Sequence, residues 1–243
     1  MTLERAIDIT AHAFAIRKSR HHPYLVRNID GLWVLRDKGP KKEPRKSEVF
    51  VADLSPEDIV ARVSRNDLGW HFLCACHGPE SDEATFKNEV KKLGYRAAAT
   101  EWIFTHDLAE IPTIESDPAV VHYETQEEID KIGDNRWKPI KVENGRFYGL
   151  ADPLIFGMVE SMRMGDDAYV ADLYVRKERR GKGYGSALMS ALLKGDKASG
   201  VRESVLVAST DGRKLYPKLG YKEIGVMHVF TPKQRCASKT WDD

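Results

Sequence analysis

The chain has 243 residues, enough for one large or two small domains. Its 38 basic and 37 acidic residues give a formal net charge of +1, which excludes a general attraction to polyanions or membrane surfaces. No apolar run has the length of a membrane span, and Met1–Arg20 lacks a signal-peptide core, so we expect a cytoplasmic protein. Three cysteines, which cannot all pair, also favour a reducing compartment.

The first half of the chain alternates between helical and extended patterns. Apolar residues at helical spacing predict a helix over Leu3–Ile16. Ser55 followed by Pro56 is typical of a helix start, and this helix is expected to end near Val63. A third helix is predicted over Ser81–Lys92, with acids in its first turn and lysines in its last. Runs of β-forming residues predict strands over Leu32–Arg36, Glu48–Ala52 and Trp70–Cys76.

Cys74, Cys76 and His77 form the one group in the first half that suggests a metal. Residues two apart on a strand share a face, so the two sulfur atoms could act together. No second pair of ligands follows at zinc-finger spacing, however. We therefore expect buried cysteines that pack as small apolar groups, and no metal site.

The second half begins with a predicted linker, Asp107–Pro118, which contains two prolines and clustered acids. Thr125 and Glu128 form a capping box, which predicts a helix from Thr125 to about Ile132. An irregular segment is expected over Gly133–Asn144. Further strands are predicted at Val120–Tyr123, Phe147–Leu150, Ile155–Arg163 and Glu203–Ala208, followed by a short helix at Asp211–Leu219.

The most informative stretch is Ala168–Ala191, which reads as a strand, a basic glycine-rich turn and a helix. The strand ends near Val175, and apolar residues at helical spacing start after Ser186. Between them the glycines 181, 183 and 185 stand at every second position. Glycines let backbone N–H groups approach phosphate oxygens, and a helix N-terminus adds a positive dipole. This stretch is therefore a candidate anion-binding site, although a turn without a ligand has the same pattern.

Two common nucleotide-binding motifs do not fit this turn. The third glycine comes one residue too early for the G-x-G-x-x-G fingerprint, and no second strand-helix-strand unit with its acidic residue follows. The G-x-x-x-x-G-K-[ST] pattern of P-loops is absent from the sequence as well.

Arg180, Gly183 and Gly185 match the [QR]-x-x-G-x-[GA] motif that the GCN5-related N-acetyltransferases (GNAT) carry after their fourth strand. Leu215–Tyr221, LYPKLGY, resembles the L-Y-x-x-L-G-[FY] motif near the end of that family's domain. The two motifs stand in the family's order and at about its separation. The resemblance covers roughly Val120–Pro232.

The resemblance implies a mixed α/β fold, mainly an antiparallel sheet flanked by helices and splayed between its fourth and fifth strands. It implies acetyl-CoA as co-substrate, with the pyrophosphate on the glycine-rich turn and the pantetheine arm beside the end of the central strand. The residues expected to bind it are Leu173, Tyr174, Val175, Arg180, Gly181, Lys182, Gly183, Tyr184, Gly185 and Ser186.

Three side chains are candidates for the chemistry. Tyr216 stands where the family often has a tyrosine that donates a proton to the departing sulfur, a role suited to a phenol that is protonated at neutral pH. Packing against the last helix is its alternative role. Asp172 and Glu160 are candidate bases for the acceptor amine, and either could instead be a structural hydrogen-bond acceptor.

An internal repeat points to a second domain. Leu93–Thr105 and Leu219–Thr231 share their Leu-Gly-Tyr start and Phe-Thr end without gaps. The first half is therefore predicted to be a degenerate GNAT-like copy that binds no CoA, because Leu54–Asp58 replaces the glycine-rich turn with an acidic segment. The predicted organisation is a degenerate domain over 1–107, a linker over 108–118 and a catalytic domain over 119–243.

The leading hypothesis is an acetyl-CoA-dependent N-acetyltransferase that acts on a primary amine of a small molecule or peptide. A non-catalytic acyl-CoA-binding regulatory module is the alternative. A nucleic-acid modifier would use the basic segments 17–22 and 38–46, but no aromatic stacking series accompanies them and the net charge is near zero. No membrane partner is expected, and homodimer formation, frequent in the family, stays open.

Overall fold

The computed structural model describes residues 1–133, 139, 141–142, 145–234 and 236–241. It contains five α-helices: α1 (Leu3–Lys18), α2 (Pro56–Arg65), α3 (Glu83–Lys92), α4 (Gln126–Ile132) and α5 (Tyr184–Ala198). The strands are β1 (Tyr24–Ile29), β2 (Leu32–Asp37), β3 (Ser47–Ala52), β4 (His71–His77), β5 (Tyr95–His106), β6 (Val121–Tyr123), β7 (Gly145–Ala151), β8 (Ile155–Met164), β9 (Asp167–Val175), β10 (Glu203–Ala208) and β11 (Lys222–Pro232).

The chain forms two compact units. Unit 1 consists of Met1–Phe104, Val207–Asp211 and Glu223–Asp243, and unit 2 of Thr105–Leu206 and Gly212–Lys222. The last strand, β11, therefore belongs almost wholly to unit 1, although it follows unit 2 in the sequence.

Unit 1 contains strands in the order β1-β2-β3-β4-β11-β5. The first three form an antiparallel meander. Strand β4 then runs parallel to β3, which requires the crossover that α2 supplies. Strand β11 is antiparallel to β4.

Helices cover both faces of the unit 1 sheet. Because side chains alternate along a strand, Val49 and Val51 of β3 point to one face and Phe50 to the other. The valines join a core with Ile59 of α2 and Val90 of α3. Phe50 instead makes an edge-to-face contact with Phe14 of α1, with ring centroids 5.5 Å apart.

Unit 2 repeats this plan with strands in the order β10-β9-β8-β7-β6. Strands β6 to β9 are antiparallel neighbours, and β10 runs parallel to β9 after the crossover helix α5. Helix α5 packs on one face of this sheet, where Leu188 lies against Gly157. Helix α4 packs on the other, where Ile129 joins Phe147 and Ile155 in a buried cluster.

Most predicted elements are present, but the bounds of β5 and β11 were not predicted, and there are further differences. Strand β1 was not predicted, although most of its residues are apolar and it pairs with β2 through a tight hairpin. Helix α5 begins at Tyr184, earlier than the apolar run after Ser186 from which the helix was predicted. The helix expected over Asp211–Leu219 is reduced to a 3-10 helix at Tyr216–Leu219, preceded by turns. Much of the predicted irregular segment 133–144 lies outside the described residues.

The two copies of the Leu-Gly-Tyr repeat have the same local structure. Gly94 and Gly220 both have left-handed backbone angles, with φ of +100° and +92°, and each lies between a helix and a long strand. In unit 1 the Tyr95 hydroxyl lies 3.0 Å from Nε2 of His71. In unit 2 the Tyr221 hydroxyl lies 2.8 Å from Oγ of Ser204. Duplication, and with it the tandem domains over 1–107 and 119–243, stays a prediction.

The cysteines and His77 do not share one face of β4. His77 packs against Phe86 of α3 in a tilted arrangement, with ring centroids 5.0 Å apart. Cys74 and Cys76 alternate with it and point the other way, where burial raises the pKa of both thiols. Among the described residues, no helix has the length and apolar character needed to cross a membrane.

Candidate active site

The carboxyl end of β9 is distorted at Asp172. Strand β8 pairs Met158 with Tyr174 but Glu160 with Ala171, so β9 contains one extra residue there. Asp172 occupies the left-handed region with a φ of +54°, which aspartate tolerates better than most residues. Such a bulge leaves backbone groups outside the regular ladder and re-aims the neighbouring side chains.

Strand β9 also parts from β10 near this point. Their parallel pairing joins Asp167–Tyr169 to Glu203–Val205, and β9 continues to Val175 beyond it. Leu173 and Val175 are half-buried in this last part, whereas Tyr174 is exposed. The backbone here is placed for pairing with an extended ligand.

The glycine-rich turn is open to solvent. Gly181 and Gly183 have φ values of +77° and +84°, which glycine adopts without steric cost. A Cβ built at either position would meet no atom within 4 Å. Arg180 fixes the start of the turn, because its Nε donates to the carbonyl oxygen of Val175 at 2.9 Å. The exposed Lys182 lies between the two glycines.

Helix α5 differs from the other four helices at its N-terminus. Side chains cap α1, α2, α3 and α4, the residues being Thr2, Ser55, Asp82 and Thr125. The cap of α5 is Gly183, which offers no side chain, and its first turn contains no acid. The N–H groups of Tyr184, Gly185 and Ser186 therefore have no intrahelical acceptor and face an uncapped end. They can donate hydrogen bonds to a bound anion, which the positive end of the helix dipole also attracts.

Helix α2 occupies the corresponding crossover in unit 1 and has the opposite character. Ser55 accepts the N–H of Asp58 at 3.1 Å and donates to the Asp58 carboxylate at 2.9 Å. Glu57 adds a second acid in the same turn. This end is capped and negative, which disfavours a bound phosphate.

Tyr216 is next to the start of α5. A Cβ on Gly185 would lie 3.7 Å from Leu215, the residue before Tyr216, so the two segments touch. The Tyr216 ring is 8% exposed and packs edge-to-face on Tyr221, with centroids 5.7 Å apart. Burial raises the pKa of Tyr216 to about 12, so the phenol keeps its proton at neutral pH.

The two candidate bases have different surroundings. Glu160 is 2% exposed, and its Oε1 accepts the backbone N–H of Val142. That carboxylate satisfies a buried N–H group, as a structural acceptor does. Asp172 is half-buried and lies on the bulge itself, adjacent to Leu173.

His106, which was not predicted from the sequence, lies beside the segment that carries Tyr216. Its Nδ1 accepts the N–H of Leu108 at 2.8 Å, so Nε2 has the proton and donates to the Leu219 carbonyl oxygen at 3.0 Å. More than one hundred residues separate His106 from Leu219 in the chain, and no local pattern signals such a contact.

The predicted linker is held against α5. Ser190 donates to the Pro112 carbonyl oxygen at 2.6 Å, and Tyr184 donates to that of Asp117 at 3.0 Å. Lys194 and Lys197 bind the same segment at Thr113 and Ala109. We call residues 109–117 the strap. A pocket of about 430 Å³ lies between the strap, residues 119–120 and α5.

Comparison with known proteins gives one family match. Residues 143–223, about a third of the chain, match the family model described as an acetyltransferase (GNAT) domain. This range contains the bulge, the glycine-rich turn and Tyr216. A comparison with curated proteins finds no match.

Solved structures show a similar fold over most of the chain. A GCN5-related N-acetyltransferase from Kribbella flavida aligns with a TM-score of 0.60 at 13% identity, over 96% of this chain and 97% of that one. A putative GNAT acetyltransferase from Novosphingobium aromaticivorans aligns with a TM-score of 0.54 at 15% identity, over 95% and 99%. These likenesses establish a GNAT-like α/β fold, with a mixed sheet flanked by helices.

Proposed function

We propose that the protein is an acetyl-CoA-dependent N-acetyltransferase, on the premise that residues 143–223 match the model of an acetyltransferase (GNAT) domain. Its acceptor is a primary amine of a small molecule or peptide. The observation that carries the proposal is the uncapped N-terminus of α5 behind the open turn at Gly181 and Gly183.

The turn fits the pyrophosphate of acetyl-CoA. Gly181 and Gly183 leave room that a Cβ would take, and the N–H groups of residues 184–186 supply hydrogen-bond donors. Arg180 and Lys182 add positive charge. Leu173–Val175, the last part of β9, would then pair its backbone with the pantetheine arm, as an added strand does.

Acetyl-CoA supplies a thioester carbonyl, and the chain's own residues handle two protons. We assign Asp172 as the base that takes a proton from the acceptor ammonium, directly or through water. It is half-buried and lies beside the part of β9 where the pantetheine arm is proposed to bind. Tyr216 then donates to the departing sulfur. Its raised pKa keeps the phenol protonated at neutral pH, so the hydroxyl has a proton to donate to the sulfur. Glu160 holds the Val142 N–H and positions the strand.

A non-catalytic acyl-CoA-binding module is the second candidate. The observation in its favour is that Glu160, one of the two candidate bases, is committed to the Val142 N–H. Asp172 then remains as the single assigned base. A binding module would keep the α5 turn and lack turnover.

The test is calorimetry with acetyl-CoA on the wild type and on Gly183→Glu. The glutamate introduces a side chain and a negative charge where the pyrophosphate is proposed to lie, so binding should weaken at least about a hundredfold. Gly200→Glu is the matched control. Gly200 follows the other end of α5, has a φ of +83°, and also has open space at its Cβ.

The expected result is one site per chain in the wild type and in Gly200→Glu, and none in Gly183→Glu. Two sites per chain would contradict the prediction that the capped, acidic end of α2 binds no acetyl-CoA. Equal binding by both variants would remove the α5 turn from the cofactor site. A free-thiol release assay over mixed amines then separates the two candidates, since a binding module releases none.

A further inference from the structure

His106 is a buried group that the proposed chemistry does not use. It ends β5 and is 3% exposed. Its ring makes two hydrogen bonds with main-chain groups, at Leu108 and at Leu219. These bonds fix the tautomer, with the proton on Nε2.

The first of these bonds stabilises a turn in an uncommon conformation. Leu108 has a φ of +57°, although it is a bulky residue with a Cβ, and it is 2% exposed. Its N–H donates to His106 at 2.8 Å. The next residue, Ala109, donates to the Asp107 carboxylate at 3.0 Å. The side chains of His106 and Asp107 thus hold this turn, and the same contact orients the imidazole.

The second bond, from His106 to the Leu219 carbonyl, lies at the C-terminal end of the 3-10 helix Tyr216–Leu219. The last carbonyl groups of a helix have no partner within it. Here the N–H of Tyr221 bonds the Tyr216 carbonyl, and His106 takes the Leu219 carbonyl. Gly220 makes this approach possible, because a Cβ there would lie 2.8 Å from the imidazole Nε2.

Ring contacts connect His106 to Tyr216 as well. The imidazole packs edge-to-face on Tyr221 with centroids 5.1 Å apart, and Tyr221 packs on Tyr216 at 5.7 Å. Tyr221 is itself held by its hydroxyl contact with Ser204. Tyr216 therefore stands at the end of a packed series that begins at His106.

We propose that His106 is a positioning residue for the acetyl transfer: it sets the place of the Tyr216 hydroxyl by holding the Leu219 carbonyl and the Tyr221 ring. This inference rests on the proposed function and on the role assigned there to Tyr216. A small displacement of a proton donor costs rate even when all the chemical groups remain. His106 acts on kcat and leaves acetyl-CoA binding alone.

The experiment is a double-mutant cycle on thiol release in the full chain, with His106→Phe, Tyr216→Phe and the double variant. Phenylalanine keeps the ring but loses both hydrogen bonds. We expect His106→Phe to lower kcat at least about tenfold, with the KM for acetyl-CoA within about twofold of wild type. In the Tyr216→Phe background the same change should have less than about a twofold effect.

Two further variants control for general damage to the fold. His106→Gln keeps a side-chain amide that can donate to the Leu219 carbonyl, so it should recover most of the lost kcat. His122→Phe removes a histidine that stacks on Tyr148 elsewhere in unit 2, and should leave kcat unchanged. Amide exchange of Tyr221 should be faster in His106→Phe than in His106→Gln, because the end of the 3-10 helix has lost its partner.

The outcomes separate this inference from the proposed function. If the wild type releases thiol and His106→Phe lowers kcat equally with and without the Tyr216 hydroxyl, the positioning role is overturned and the acetyltransferase stands. An unchanged kcat in His106→Phe has the same meaning. If the wild type binds acetyl-CoA but releases no thiol with any amine, the proposed function falls, and the positioning role falls with it.

Discussion

Gly195 shows how one absent methyl group determines the packing of α5 on its sheet. A Cβ at this position would lie 1.9 Å from the hydroxyl oxygen of Tyr148 and 3.0 Å from its Cζ. The Tyr148 ring is 9% exposed and stacked on His122 with centroids 4.7 Å apart, so it has little freedom to move. Glycine inside a helix is intrinsically unfavourable, and here it permits the close approach of the tyrosine.

Gly195→Ala is therefore expected to destabilise unit 2 by about 1–3 kcal/mol, the usual cost of overpacking, measured by urea denaturation. Adding Tyr148→Phe removes the nearest atom and should restore part of the loss, a coupling that a cycle measures directly. Gly185→Ala is the control in the same helix. Its Cβ would meet Leu215 at an ordinary 3.7 Å, and the change should raise stability by about 0.5–1 kcal/mol. Equal effects of the two alanines would contradict this account.

At the scale of elements, the strap behaves as part of α5. Ser190 is its central attachment: the hydroxyl donates to the Pro112 carbonyl at 2.6 Å and accepts the N–H of Ile114 at 3.3 Å. Ser190 is 1% exposed, so water cannot easily replace either bond. Lys194 binds the strap at Thr113 from an exposed position.

Ser190→Ala is expected to leave two backbone groups of the strap without this partner and to cost about 1–3 kcal/mol. Lys194→Ala, which removes an exposed hydrogen bond, should cost less than about 0.5 kcal/mol. Limited proteolysis within residues 109–117 should be accelerated by the first change far more than by the second. Equal cleavage rates would show that Ser190 does not anchor the strap.

The stability of the whole molecule is expected to depend on pH through a buried histidine, His228. In unit 1, His228 is fully buried, its Nδ1 lies 3.2 Å from the Thr100 hydroxyl, and its ring lies 4.9 Å from that of His77. Burial, with the charges of Lys87 and His77, lowers the pKa of His228 to about 3. The folded state therefore holds a neutral imidazole that the unfolded chain would protonate near pH 6.5.

Because the pKa of His228 is lower in the folded state than in the unfolded chain, its contribution to the free energy of unfolding is complete above about pH 6.5. That contribution is lost progressively as the pH falls below this value. At pH 5 the loss from His228 is about 2 kcal/mol in the unfolding transition that includes unit 1. His228→Gln should remove this loss. The difference in the free energy of unfolding between wild type and variant should therefore be about 2 kcal/mol smaller at pH 5 than at pH 7.5. Parallel stability profiles for the two proteins would contradict the prediction.

The local structure was predictable wherever a few neighbouring residues determine it. The capping box at Thr125 and Glu128, the Ser55 cap and the left-handed glycines depend on contacts within about one turn of chain. The shortened helix before Gly220 was missed, since its extent depends on packing with distant segments. Strand β1 was missed as well, although its hairpin with β2 is a local structure.

The sequence by itself determined the glycine-rich turn between a strand and a helix and the tyrosine motif that follows, because backbone freedom, helix capping and hydrophobic periodicity are local properties. Tertiary structure alone decided that Glu160 bonds Val142, that His106 meets Leu219, and that the strap lies along α5. It also assigned β11 to unit 1. These arrangements join residues that are far apart in the chain, and the burial and packing that select them exist only once the sheets have formed.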